Sequence, residues 1–298
     1  MIFLESSTIG HTIRSLRKIA GLSQRDLAEG ICSQAQICKL ENNNELPSSL
    51  LLNKLAKKLG VDMNYFFEIL ETPRLDYVME VKELIRRFIR ERDYKKVLDT
   101  ISSEKQSFLF QSNENQQFLL WHEAICIHYI ENKSYEALEQ LYNALNLTYT
   151  HGKKFFQENE IEVLNSIAII QKDLRQFEQA ETTFREALKI LNYLPKLNNK
   201  KIKIRLIYGL SKLLTDLKRY QESMVYCNEG ILFCLTNETL YLFGEFQYQL
   251  GSNFARLGDY KSAKIAFNKA INIFDLQGNR HFINLVKKLR DELLGSDK

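Results

Sequence analysis

The most reactive side chains in this chain belong to its five cysteines and five histidines, and their spacing argues against most of the chemistry they could perform. His122-Glu123-Ala124-Ile125-Cys126 resembles the H-E-x-x-H pattern, in which two ligands one helical turn apart hold zinc and the glutamate serves as base. Cys126, however, aligns with Ala168, Ser211 and Gly251 of later, similar segments, so packing is the expected role of both His122 and Cys126. His11, His128, His151 and His281 have no partner at ligand spacing. Cys32, Cys38, Cys126, Cys227 and Cys234 are odd in number and contain no C-x-x-C pair, which fits reduced thiols in a cytoplasmic protein. The glycines of G-L-S-Q and G-D-Y-K read as turn glycines, and no phosphate-binding loop is present. No enzyme, cofactor or metal is therefore expected, and function must come from polar groups displayed on folded surfaces.

The elements that display them are helices. Only 12 of 298 residues are Gly and 3 are Pro, too few for the closely spaced turns of a β sandwich or barrel, so the expected fold class is all-α. Lys and Arg number 41 against 37 Asp and Glu, and a net charge of +4 announces neither nucleic acid nor membrane by itself. No apolar run approaches the roughly 18 residues of a membrane span, and the start lacks a basic segment followed by an apolar one, so neither export nor membrane anchoring is expected.

The first seventy residues read as five short helices. Ile9 to Ala20 carries Ile9, Ile13, Leu16 and Ala20 on one face and ends at Gly21. Ser23 caps a second helix from Gln24 to Glu29, and Ser33 caps a third from Gln34 to Glu41. Pro47 opens a fourth that Gly60 closes, and Asp62 caps a fifth containing Tyr65 and Phe66. The strings L-S-Q-R-D-L-A, I-C-S-Q-A-Q-I-C-K-L-E-N and L-A-K-K-L-G-V, in that order, resemble the lambda-repressor or XRE class of helix-turn-helix domains. That resemblance implies that the third helix enters the major groove, with Gln34, Gln36 and Lys39 near base edges and Ala35 able to touch a thymine methyl. Gln24 matches the position that clamps a phosphate, Arg14, Lys18 and Arg25 suit backbone contacts, and Ser33 belongs to the same DNA-facing set. The match also brings Arg17 and Glu41 together as a structural ion pair.

Pro73 is the expected boundary between domains 1–70 and 71–298. Beyond it a repeat places an aromatic at Tyr94, Tyr135, Phe177, Tyr220 and Tyr260, with spacings of 41, 42, 43 and 40. Three residues after each come Val97, Leu138, Ala180, Ser223 and Ala263, and seven after come Ile101, Tyr142, Phe184, Cys227 and Phe267, on one helix face. G-S-N-F-A-R-L-G-D-Y-K-S-A-K-I-A-F-N-K-A resembles the tetratricopeptide repeat, which implies a solenoid of five repeats capped by His281 to Leu294. Aligning the repeats puts the family's groove-facing positions at Lys82, Arg86, Glu123, Glu162, Asn165, Arg205, Tyr208, Lys212, Glu245, Tyr248 and Ser252. Asn165 could hold a ligand backbone, and Lys82, Arg86 or Lys212 could receive a carboxylate.

The two halves together, with I-C-S-Q, N-Y-F-F-E-I-L and Q-F-L-L-W, resemble the RNPP family of Gram-positive quorum-sensing regulators, and within it the PlcR-like activators. The resemblance implies a homodimer that binds double-stranded DNA at a two-fold operator and a short signalling peptide in the repeat groove. Two other readings stay open: a regulator whose repeats sense a partner protein, and a repeat adaptor without peptide sensing.

Overall fold

A computed structural model describes residues 9–71, 74–149 and 156–294, so Pro73 and His151 lie outside the described residues. Among these the regular elements are helices, with no strand, and none is long and apolar enough to cross a membrane. Packing divides the chain into two compact units, Met1–Ser112 and Asn113–Lys298. The first unit takes in two helices beyond residue 71, Leu75–Glu91 and Tyr94–Glu104.

The first unit opens with α1 (Ile9–Ile19), α2 (Gln24–Ala28), α3 (Gln34–Glu41), α4 (Ser49–Leu59) and α5 (Asn64–Glu71). Their starts follow from capping chemistry. Ser23 and Asp26 form a reciprocal capping box on α2, and the Ser33 hydroxyl accepts from the Gln36 N–H to begin α3. Pro47 does not itself open α4; Ser48 does, its hydroxyl accepting from the Leu51 N–H, while Gly60 in the left-handed region closes the helix as expected. The core gathers Ile13, Leu27, Ile37, Leu40, Leu52, Leu55 and Phe66, all at most 1% exposed, whereas Ala20 is exposed and takes no part. Gly10 permits α1 to rest on the end of α3, because a methyl group there would lie 1.9 Å from the Leu40 carbonyl oxygen. After these, α6 (Leu75–Glu91) and α7 (Tyr94–Glu104) form a hairpin, tied by the Tyr77 hydroxyl donating to Glu104 at 2.6 Å, and a 3-10 turn at Phe108–Phe110 follows.

The second unit stacks four helix hairpins: α8 (Asn113–Glu131) with α9 (Ser134–Asn146), α10 (Glu158–Asp173) with α11 (Phe177–Asn192), α12 (Lys201–Asp216) with α13 (Tyr220–Thr236), and α14 (Phe243–Arg256) with α15 (Tyr260–Leu276). The final helix α16 (Arg280–Leu294) covers α14 and α15. The backbones of successive first helices approach one another, from α8 through α10 and α12 to α14, whereas second helices are spanned by long side chains, as where Arg185 of α11 reaches Glu222 and the Tyr226 hydroxyl of α13. A stack held closer on one side curves toward it, so the first helices line the inner face.

The hairpins share a turn. Arg92, Asn132, Arg175, Lys218 and Gly258 all adopt positive φ, at spacings of 40, 43, 43 and 40. After α6, α10, α12 and α14 a backbone bond runs from the next residue's N–H to the carbonyl five residues earlier, which reverses the chain sharply. Five residues beyond each turn stands a fully buried side chain: Val97, Ala137, Ala180, Ser223 and Ala263. The second copy thus departs from the expected register. Because α9 starts at Ser134 rather than Tyr135, Ala137 and Leu141 face inward and Tyr142 is 42% exposed. Gly251 marks the tightest packing of the last hairpin, where an added methyl would come within 2.6 Å of the Phe267 ring.

Candidate functional site

The DNA-facing expectation falls on α3. Ile37 and Leu40 anchor its inner side in the core, which turns Ser33, Gln34, Ala35, Cys38 and Lys39 fully outward and leaves Gln36 half-buried. Arg25, Arg14 and Lys18 are also exposed. Behind this surface the expected Arg17–Glu41 pair forms with both guanidinium edges engaged: Nε donates to Oε1 at 2.5 Å and Nη2 to Oε2 at 2.9 Å, with the Glu41 side chain 1% exposed. Arg17 also donates to the Leu22 carbonyl at 2.8 Å, and Gln24 Nε2 donates to Glu41 Oε2 at 2.9 Å. Burial alone would raise the Glu41 carboxyl, but the Arg17 and Gln24 hydrogen bonds with the Arg17 charge hold it below the usual carboxylate range. Gln24 therefore braces α2 against α3. Cys38, read in the sequence only as one of five reduced thiols, is exposed on this face and its Sγ accepts from Asn42 Nδ2 at 3.5 Å.

Lys82 and Arg86 lie half-buried on α6 of the first unit. The remaining groove candidates all lie on first helices of the second unit. Glu123 on α8 is half-buried and accepts from Gln140 Nε2 of α9 at 2.7 Å. Asn165 on α10 is 6% exposed, and its Oδ1 accepts no hydrogen bond from the protein. Arg205 on α12 is already held: Nη2 donates to Glu162 at 2.6 Å and Nη1 to the Tyr241 hydroxyl at 3.3 Å. Burial opposes its charge, yet the adjacent Glu162 carboxylate holds it raised. Tyr241 escaped sequence reasoning because the contact spans 36 residues and nothing local signals it.

Tyr208 on α12 meets Phe246 edge-on, and the Lys212 ammonium lies over the Tyr208 ring, 5.8 Å from its centre. Glu245 and Tyr248 sit one turn apart on α14, with Tyr248 against Phe267. Burial pushes the Tyr208 and Tyr248 phenols up, and it also raises the Glu245 carboxyl, which is relieved only by its own backbone N–H. Glu245 Oε2 is buried and, like Asn165 Oδ1, has no partner. Ser252 accepts from Arg256 one turn further on.

His122 and Cys126 take no part in either surface. Both are at most 2% exposed; His122 Nδ1 meets the Phe118 carbonyl at 2.7 Å and its ring packs on Trp121, while burial pushes the Cys126 thiol up to about 12. Among the described residues no three His, Cys, Asp or Glu side chains cluster as metal ligands.

Residues 13–66 match the helix-turn-helix family and residues 82–294 match the RNPP family C-terminal domain. No curated protein matches the chain. Among solved structures, the fold is similar to Bacillus thuringiensis PlcR in complex with the peptide PapR7 and DNA, with a TM-score of 0.86 and 23% identity over 94% of this chain and 98% of that one. It is also similar to S. thermophilus ComR in complex with DNA and its signalling peptide ComS, with a TM-score of 0.67 and 16% identity over 96% and 99% of the two chains. Streptococcus dysgalactiae Rgg2, a pheromone receptor, follows with a TM-score of 0.63 and 18% identity over 95% and 99%.

Proposed function

The chain belongs to the RNPP family, and from that premise we propose that it is a cytoplasmic, peptide-responsive transcriptional regulator that binds a two-fold duplex site as a homodimer. The observation that carries this reading is a polar atom without a partner at the centre of the inner face. Asn165 Oδ1 is buried and accepts no bond from the protein, whereas most buried polar atoms in folded proteins have partners. A peptide lying along the first helices would supply the missing donor from its backbone, and the amide of the same side chain could donate in return. The outward Gln34 and Lys39, with the half-buried Gln36 between them, supply the complementary chemistry for base edges, with Gln suited to adenine and Lys to guanine. Arg25 and Gln24 would fix the register on the phosphates, and Ser33 and Ala35 would line the approach. Glu123, Arg205, Tyr208, Lys212, Glu245 and Tyr248 form the proposed lining in the second unit, and Lys82 and Arg86 are proposed to couple ligand binding to the response.

The mechanism is a population shift. A peptide that prefers one arrangement of the repeat unit raises the fraction of dimers whose recognition helices fit the half-sites. The test is selection of duplexes from a random library by the full chain, followed by capture of ligands from a random heptapeptide pool. A selected duplex whose affinity falls steeply with salt, and changes when captured peptide is added, supports the proposal. Absence of salt-dependent duplex binding, or response to a folded protein and to no peptide, would overturn it.

A further inference from the structure

The inner face of the second unit treats its acidic side chains Glu162 and Glu245 differently. Glu162 is neutralised by Arg205 across the α10–α12 gap, so its charge is matched within the protein. Glu245 is not. Its Oε2 is buried without a hydrogen bond, and among the described residues no cation offsets it. The nearby cations are engaged elsewhere: Arg205 with Glu162 and Tyr241, Arg256 with Ser252, and Lys212 over the Tyr208 ring. The immediate surroundings are aromatic. Tyr208 lies close enough to feel the Glu245 charge, and Tyr248 stands one helical turn along on the same side of α14.

A carboxylate with a buried oxygen lacking a partner costs stability, and a neutral isostere would reduce that cost with little change in packing. Its chemistry is complementary to one kind of group. A carboxylate with an unmatched oxygen, in a neighbourhood of tyrosines, attracts a cation that can donate hydrogen bonds, through ionic hydrogen bonding with cation–π attraction available to the same group. Resting on the peptide-sensing reading, we propose that Glu245, with Tyr208 and Tyr248 beside it, seats a positively charged group of the ligand, an ammonium or a guanidinium. The group comes from the peptide's own N-terminus or from a lysine or arginine side chain.

The experiment offers the full-length protein matched random heptapeptide pools and reads retained peptides by mass spectrometry. One pair of pools differs in having a free or an acetylated N-terminus; a second pair carries Lys and Arg or their neutral counterparts norleucine and citrulline. The expected result is at least about tenfold enrichment of the cationic member of one pair, the pair identifying the source, since a hydrogen bond to a charged group is worth that much. Among the peptides each variant retains, Glu245→Gln shows no preference for the cationic member, and Glu245→Asp, which keeps the charge, shows it. Enrichment of neutral or acidic peptides by the unmodified protein, or an unchanged preference in Glu245→Gln, would overturn the assignment while leaving peptide sensing intact. Retention of nothing from any pool would overturn peptide sensing itself and this inference with it.

Discussion

Two carboxyl groups in this protein, the buried Glu41 and the half-buried Glu245, have opposite surroundings, and the contrast separates structure from recognition. Glu41 in the first unit receives two bonds from Arg17 and one from Gln24, so α1, α2 and α3 are locked together behind the outward face of α3. Glu245 in the second unit has a buried oxygen left over, and Asn165 on α10 repeats that condition with an amide oxygen. A satisfied network defines a rigid surface that can present side chains to a partner. Unsatisfied buried groups are tolerated where something else completes them, and here Gln117 Oε1, Asn165 Oδ1 and Glu245 Oε2 all lie on first helices of the repeat unit.

The largest expected effect breaks the satisfied side of this contrast. Arg17→Ala strands Glu41 in the core and should destabilise the first unit by about 3 kcal/mol, read as a lower denaturant midpoint together with loss of duplex binding. Gln36→Ala should leave folding intact and relax base preference at one position by about 1–3 kcal/mol in a duplex selection. Arg25→Ala should act more weakly and evenly, lowering affinity for all duplexes alike and reducing the slope of affinity against salt by about one ion.

Acid titration sharpens the comparison at its finest scale, because the two carboxyls should contribute slopes of opposite sign. The Glu41 carboxyl is held below its ordinary 4.5, so its stabilisation is present above that value and is lost as pH falls through the lowered one. The Glu245 carboxyl is raised above the same 4.5, so the second unit is favoured while it is protonated and loses stability as pH rises through the raised value. Unfolding followed across pH should show the second slope vanish in Glu245→Gln and the first persist.

Much of this architecture is legible in the sequence because it is local. Ser33 and Glu41 bound α3 where the capping signals put them, and four of the five repeat aromatics open their helices. The slip at α9 shows the limit of local reading. Tyr135 resembles the other aromatics, yet the helix starts one residue earlier, and a step of about 100° per residue turns Tyr142 outward and Leu141 in. Ser48 displaced Pro47 as the start of α4 because a hydroxyl cap satisfies a backbone donor that proline cannot. The partnership of Arg205 with Glu162 and Tyr241, and the isolation of Glu245, depend on contacts between helices far apart in the chain. Alignment could name Glu162, Arg205 and Glu245 as groove-facing, but only their neighbours in space separate a neutralised acid from an unmatched one.

The most direct test follows binding of a selected duplex by fluorescence anisotropy, with and without captured peptide, for the unmodified chain and for Asn165→Ala. Asn165→Ala removes an acceptor the protein does not use, so it should change stability by less than about 1 kcal/mol and leave peptide-free duplex affinity as it was. In the unmodified chain the peptide should shift duplex affinity about tenfold or more, and in the variant that shift should disappear. An equal shift in both proteins, or none in either, would contradict a peptide-governed regulator read through the inner face of the repeat unit.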